Sequence, residues 1–201
     1  MRLFRFALFA ALILPASAPA ATLADARVGF SADRLLVIDG HRYAGHIWAM
    51  PGEERHEQKI EAFRPVFLLR ATSPLAEIVV PRLKTIVEFV LPRGLRLLRD
   101  SDLKKHPLGR DTVNGIATTR YAIEKSLPEG HAKGLLWLSS DGIPMRLVGT
   151  WTGDKGKIVR VRWELSHVKI GPQPAALFDL PHKFTKLPAA AVLPLLGLRL
   201  K

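Results

Sequence analysis

The residues able to carry chemistry are few, and their spacing argues against catalysis. The seven histidines are His41, His46, His56, His106, His131, His167 and His182, and no pair of them has a metal-ligand spacing. His56-Glu57 opens the zinc-protease pattern, but Ile60 stands where the second histidine ligand is required. Gly29-Phe30-Ser31-Ala32-Asp33 falls short of a nucleophile elbow. Asp33 replaces the final glycine, and the segment predicts a strand where a strand-to-helix turn is needed. The absence of cysteine removes disulfides, thiolate metal sites, a cysteine nucleophile and a lipid-modified cysteine. No glycine-rich loop is built to cradle a phosphate. The chain therefore reads as a non-enzyme with no cofactor and no metal, its histidines solvated.

What remains is the chemistry of apolar burial. Tyr43, Ile47, Phe67, Leu69, Trp137, Met145, Leu147, Val161 and Trp163 occupy alternate positions on five predicted strands. Alternation gathers side chains on one face of a sheet. Such a face is either ordinary core or the lining of an apolar pocket, which stays dry until an apolar guest fills it. Trp137, Met145 and Trp163 are the residues best suited to line it.

The elements that must position these residues are strands. From Leu108 to Leu147 short alternating runs are separated by Asn114-Gly115, Pro128-Glu129-Gly130 and Asp141-Gly142, which predicts an antiparallel meander with tight hairpin turns. The meander continues through Trp151 and the turn at Gly153-Asp154-Lys155-Gly156 into a long strand from Lys157 to Ile170. In that strand Val159, Val161, Trp163 and Leu165 face one way, and Arg160, Arg162 and Glu164 the other. Upstream, Val28 to Ile38 and Arg42 to Met50 predict a hairpin about Asp39-Gly40, and Arg64 to Thr72 another strand. Glu77 to Phe89 predicts two strands broken near Pro81. Glu53 to Ala62 lacks the apolar period of either element and reads as strand or helical turn. Leu91 to His106 predicts a short amphipathic helix, Ala175 to Leu180 a brief helical turn, and the tail from Lys183 an irregular segment. The sum is a mainly β chain of about eight to eleven antiparallel strands with a few covering helices.

Residues 1–20 have the anatomy of a secretory signal peptide: Arg2 and Arg5, an apolar run through Leu14, and Ala18-Pro19-Ala20 as the cleavage site. Residues 21–201 then form one domain, soluble in the periplasm. Cleavage removes two arginines and lowers the formal charge from +12 to +10. The basic residues are scattered along strands without interleaved aromatics, which speaks against nucleic acid and allows transient contact with an anionic membrane surface. The apolar stretch Leu187 to Leu198 contains Pro188 and Pro194 and is too short to span a bilayer.

The order of segments carries a resemblance. Phe30-Ser31-Ala32-Asp33, Gly45, Met50-Pro51-Gly52 with Arg55, and Phe67-Leu68-Leu69-Arg70 are followed by Pro81 with Lys84-Thr85, Leu108-Gly109 and Val113-Asn114-Gly115. Thr119-Arg120-Tyr121, Gly134 with Trp137, and Asp141-Gly142-Ile143-Pro144-Met145 complete the series. Over roughly Val28 to Pro188 the chain resembles the lipoprotein-sorting carrier (LolA/LolB-like) superfamily, in an uncharacterised periplasmic branch. That resemblance implies a curved antiparallel half-barrel whose concave face is covered by helices and holds a lipid, a lipoprotein acyl chain or another amphiphile. The carriers commonly have a basic residue before the proline after the second strand. Here Met50 precedes Pro51, which sets the chain apart from lipoprotein carriage proper. The alternative use of the same half-barrel is to engage a protein partner in the envelope.

Overall fold

A computed structural model describes residues 26–59, 63–73, 75–90, 104–127, 130–153 and 156–192. Twelve strands form one sheet: β1 (Phe30–Ile38), β2 (His41–Met50), β3 (Glu53–Gln58), β4 (Val66–Arg70), β5 (Leu75–Val80), β6 (Thr85–Val90), β7 (Lys104–Val113), β8 (Ile116–Leu127), β9 (Gly130–Ser139), β10 (Pro144–Gly153), β11 (Ile158–Ile170) and β12 (Thr185–Pro188). Their order across the sheet is β12-β6-β5-β4-β3-β2-β1-β11-β10-β9-β8-β7. Two antiparallel meanders, β1 to β6 and β7 to β11, are thus joined through the long β1–β11 pair, in which Phe30 lies opposite Ile170 and Ile38 opposite Val161. The β12–β6 contact is parallel, with Thr185 opposite Thr85.

The turns follow the local chemistry. Asn114 and Gly115 have φ of 49° and 80°, the two left-handed residues of a two-residue hairpin whose twist matches its strands. The Asn114 side chain donates to the Leu165 carbonyl at 2.6 Å, so this hairpin tip reaches past β9 and β10 to β11. Gly134 on β9 faces Gly149 on β10, and the two backbones approach closely. A Cβ on Gly134 would lie 2.4 Å from the Val148 carbonyl oxygen, so a side chain there would force the strands apart.

Each face of the sheet is dressed differently. On the packed face, Phe30, Leu36, Tyr43, Leu136, Leu147, Trp163 and their neighbours form the main core. A second cluster of Phe67, Ile78, Val80 and Val87 is covered by Val192 of α1 (Ala189–Val192). On the opposite face of β4 to β6, Val66, Leu68, Val79 and Ile86 pack against Leu180 and Phe184. That covering segment starts with a 3₁₀ turn at Ala175–Phe178. Arg55 and Arg70 pin it by donating to the carbonyls of Leu177 at 2.9 Å and Phe178 at 2.6 Å. The chain then wraps the β6 edge as β12, and α1 after it lies on the packed face.

Three expectations are corrected. The strands number twelve, because Glu53–Gln58 is a strand and because Thr185–Pro188, read as an irregular tail, adds one at the edge. In β3 the polar residues Glu54, His56 and Gln58 take the buried alternate positions, so no apolar period marks it. Lys104 to His106 begin β7 instead of ending a helix. The remainder of the expected helix, 91–103, and the expected signal peptide, 1–20, lie outside the described residues. Those residues contain no helix long and apolar enough to cross a membrane.

Candidate functional site

The apolar residues singled out from the sequence are mostly packed together. Tyr43, Ile47, Trp137, Met145, Leu147, Val161 and Trp163 belong to the main core cluster. Phe67 belongs to the second cluster, and Leu69 is half-buried opposite Glu54 and Ala76. Cross-strand register divides the set further. Leu136, Leu147, Trp163, Leu36 and Tyr43 form one row across β9, β10, β11, β1 and β2. Trp137 belongs to the next row, with Arg120, Arg146 and Glu164, and adjacent rows project to opposite faces. The cause is a bulge between Pro144 and Arg146, which puts Arg146 opposite Trp137 and shifts β9 out of phase with β10. Arg146 accordingly lies over the Trp137 ring at 5.6 Å, and the indole Nε1 donates to Asp111 at 2.8 Å. Trp137 and Trp163 therefore stand on different rows, although both belong to the main cluster.

The packed face also carries a polar group that the sequence reading missed. Arg34, Gly45 and Gln58 share one row across β1, β2 and β3, and Ile47 and His56 the next row on the same face. With no side chain on Gly45, Arg34 reaches over β2: its Nη2 donates to Gln58 Oε1 and its Nη1 meets His56 Nδ1 at 3.2 Å. His56 Nε2 in turn meets Glu54 at 2.7 Å, and Gln58 Nε2 donates to the Ala44 carbonyl at 2.9 Å. With the guanidinium donating to Nδ1, the imidazole must carry its proton on Nε2, toward the carboxylate. Burial pushes the Arg34 guanidinium down to about 10 even though Glu54 opposes the shift, so it stays charged at neutral pH. Burial likewise lowers His56, reinforced by the nearby Arg34 charge and opposed by its hydrogen bond to Glu54. Trp163 closes the group, 5.4 Å beneath Arg34 and edge-on to His56 at 6.0 Å. Three inter-strand steps separate β3 from β11, about 14 Å on a flat sheet, so the sheet curves toward this face.

His56, expected to be solvated, is thus a buried bridge between a cation and a carboxylate. The detectable signal was the period-2 spacing of Glu54, His56 and Gln58, which places all three on one face. His46 and His167 fit the expectation better, at half-exposed and exposed positions. Their Nδ1 atoms meet the two oxygens of Asp33 at 2.8 and 2.9 Å, and these hydrogen bonds hold the carboxyl below its ordinary range. Among the described residues no three histidine, aspartate or glutamate side chains gather as a metal site.

Open space lies on the other face. A groove of about 670 Å³ runs over β1, β11, β10, β9 and β8, lined by Val37, Ala122, Leu135, Val148, Lys133 and Thr150, with Arg160, Arg162, Glu124 and His106 at its margins. Its floor includes Gly134, Gly149, Ile123 and Val161. Of the nine residues named from the sequence, only Val161 reaches it.

No family model matches the chain, and no curated protein matches it by sequence. Solved structures do match in shape. A conserved protein from Thermus thermophilus aligns over 84% of this chain and 94% of its own, with a TM-score of 0.55 at 12% identity. MucB aligns over 82% of this chain and 61% of its own, with a TM-score of 0.53 at 17% identity. The Pseudomonas aeruginosa MucA/MucB complex gives a TM-score of 0.50 at 16% identity, over 83% of this chain and 60% of that one. This chain therefore spans about three fifths of the MucB chains it matches. Identities this low speak to fold alone, and among the described residues that fold is a mostly antiparallel, open, curved sheet with very little helix.

Proposed function

We propose that this chain is a non-catalytic periplasmic binding or carrier module that holds a lipid, an acyl chain or a similar amphiphile on the outer groove. The groove over β1 and β8 to β11 carries this reading: open space with apolar walls on a face where β3 to β6 are already covered by the chain's own Ala175 to Phe184 segment. Val148, Leu135 and Ala122 follow one another in a cross-strand row that Arg162 and then Val37 continue; its apolar part covers two inter-strand steps, about 10 Å, the length of a short stretch of acyl chain. Each methylene buried there contributes roughly 0.8 kcal/mol. The nine residues named from the sequence serve in this reading as the rigid back of the sheet, with Val161 common to both.

The export signal expected at residues 1–20 places the module in the periplasm. The test is organic extraction of the purified mature protein followed by lipid mass spectrometry. A stoichiometric amphiphile is expected, displaced when Val148→Glu puts a charge in the apolar row, and protein that carries no amphiphile and binds none when supplied would overturn the reading. A second reading rests on the structure of MucB bound to MucA: the same open face would engage a protein partner, and crosslinking in the periplasm would then trap a protein at Val148.

A further inference from the structure

We propose that the ligand of the outer groove is an anionic amphiphile, its carboxylate or phosphate head held over Thr150 between Lys133 and Arg160. This inference rests on the groove reading and adds the ligand's charge and orientation. Lys133, Thr150 and Arg160 lie directly opposite one another on β9, β10 and β11. Cβ atoms of facing residues are about 5 Å apart, so two cationic arms flank a hydroxyl donor across about 10 Å. Two residues along each strand, on the same face, come Leu135, Val148 and Arg162. Lys133 and Thr150 therefore border Leu135 and Val148, and a head placed over Thr150 leaves its tail on those two side chains and on Ala122 beyond.

The neighbouring charges single out these cations. Arg146 and Arg162 are both committed to Glu164, at 3.1 and 2.7 Å. Two acids bound the row: Glu124 lies directly opposite Lys133 with its carboxylate 3.2 Å from His131 Nε2, and Asp39 accepts from the Arg160 backbone N–H at 2.8 Å. Lys133 and the Arg160 guanidinium have no ion pair among the described residues. A solvated basic surface would explain unpaired cations by themselves. It does not explain why they form one row with a hydroxyl, beside the apolar side chains of Leu135 and Val148.

The experiment compares a fluorescent long-chain fatty acid, its uncharged methyl ester, a lysophospholipid with an anionic phosphate head, and inorganic phosphate, each titrated into the mature protein at low and high salt. The acid should bind at least about tenfold more tightly than the ester, a difference of about 1.4 kcal/mol, and high salt should narrow the gap. In Lys133→Gln/Arg160→Gln the acid should fall to the affinity of the ester, the ester should be unmoved, and circular dichroism should be unchanged. Competition by inorganic phosphate at millimolar concentration would assign a phosphate head, and its failure while the acid still competes would assign a carboxylate. Equal binding of acid and ester, or a preference that survives the double substitution, would overturn the headgroup assignment and leave the groove reading intact. Absence of binding by every amphiphile would overturn both, as would binding that Val148→Glu leaves untouched.

Discussion

Arg34 and Arg160 stand on the neighbouring strands β1 and β11 and on opposite faces of the sheet, and the contrast between them describes the molecule. Arg34 is buried, and three polar residues of one short strand, Glu54, His56 and Gln58, are arranged around it, with Trp163 beneath. Arg160 is exposed and its guanidinium has no partner in ion pairing among the described residues. A cation taken out of water must bring its own counterion and hydrogen bonds or give up its charge. A cation left in water keeps its interactions for whatever arrives. One sheet thus spends its polar residues on holding itself together on one side and leaves them uncommitted on the other.

The comparison can be broken in three ways, in decreasing order of effect. Trp163→Ala should destabilise the fold by about 4 kcal/mol, since it empties a core position and uncovers the Arg34–His56 contact, and denaturant titration would read it. A loss under about 1 kcal/mol would mean that the packed face is not closed. The second test is acidification. The folded state holds His56 below the ordinary imidazole value of about 6.5, so the unfolded chain takes up the proton first. The stability tied to this group is complete above that value and is lost as pH falls through the folded-state value. Protonation would also place an N–H on Nδ1 against the Arg34 guanidinium, where no acceptor remains. The denaturation midpoint should therefore drop between about pH 7 and about pH 5, and His56→Gln should flatten that slope. A slope unchanged by the substitution would assign the pH response to other groups. The smallest effect belongs to the outer face, where Val148 is 42% exposed. Val148→Ala should change stability by no more than about 0.5 kcal/mol while weakening amphiphile binding, and a larger loss of stability would make the groove part of the core.

Much of the architecture was legible because it rests on local rules. Asn114-Gly115 and Asp39-Gly40 supply turn geometry within two residues, and the alternation of Val159 to Leu165 separates a buried from a wet face within seven. The site was less legible because it depends on register, which pairs residues far apart in sequence. The bulge at Pro144 to Arg146 moves Trp137 to the other row, and nothing local to Trp137 announces it. Glu54, His56 and Gln58 show no apolar period, and His56 reads as solvated, because their reason for burial, Arg34, lies some twenty residues away and is reached only over Gly45. The groove was invisible for a related cause: it belongs to a face whose residues look like ordinary surface until Lys133, Thr150 and Arg160 are placed opposite one another.

The parallel pairing of β12 with β6 has a consequence for the order in which the sheet is completed. Thr85 meets Thr185, a contact between segments about a hundred residues apart, and contacts of that separation form late because the loop must close first. As the polypeptide emerges in order from its amino-terminal end, β1 to β6 can pair as a local meander while the outer edge of β6 has no neighbour. Such an edge is a template for any passing strand, and it stays uncapped until residues 185–188 have emerged and folded back. A chaperone that shields bare strand edges would therefore matter most before this last strand arrives.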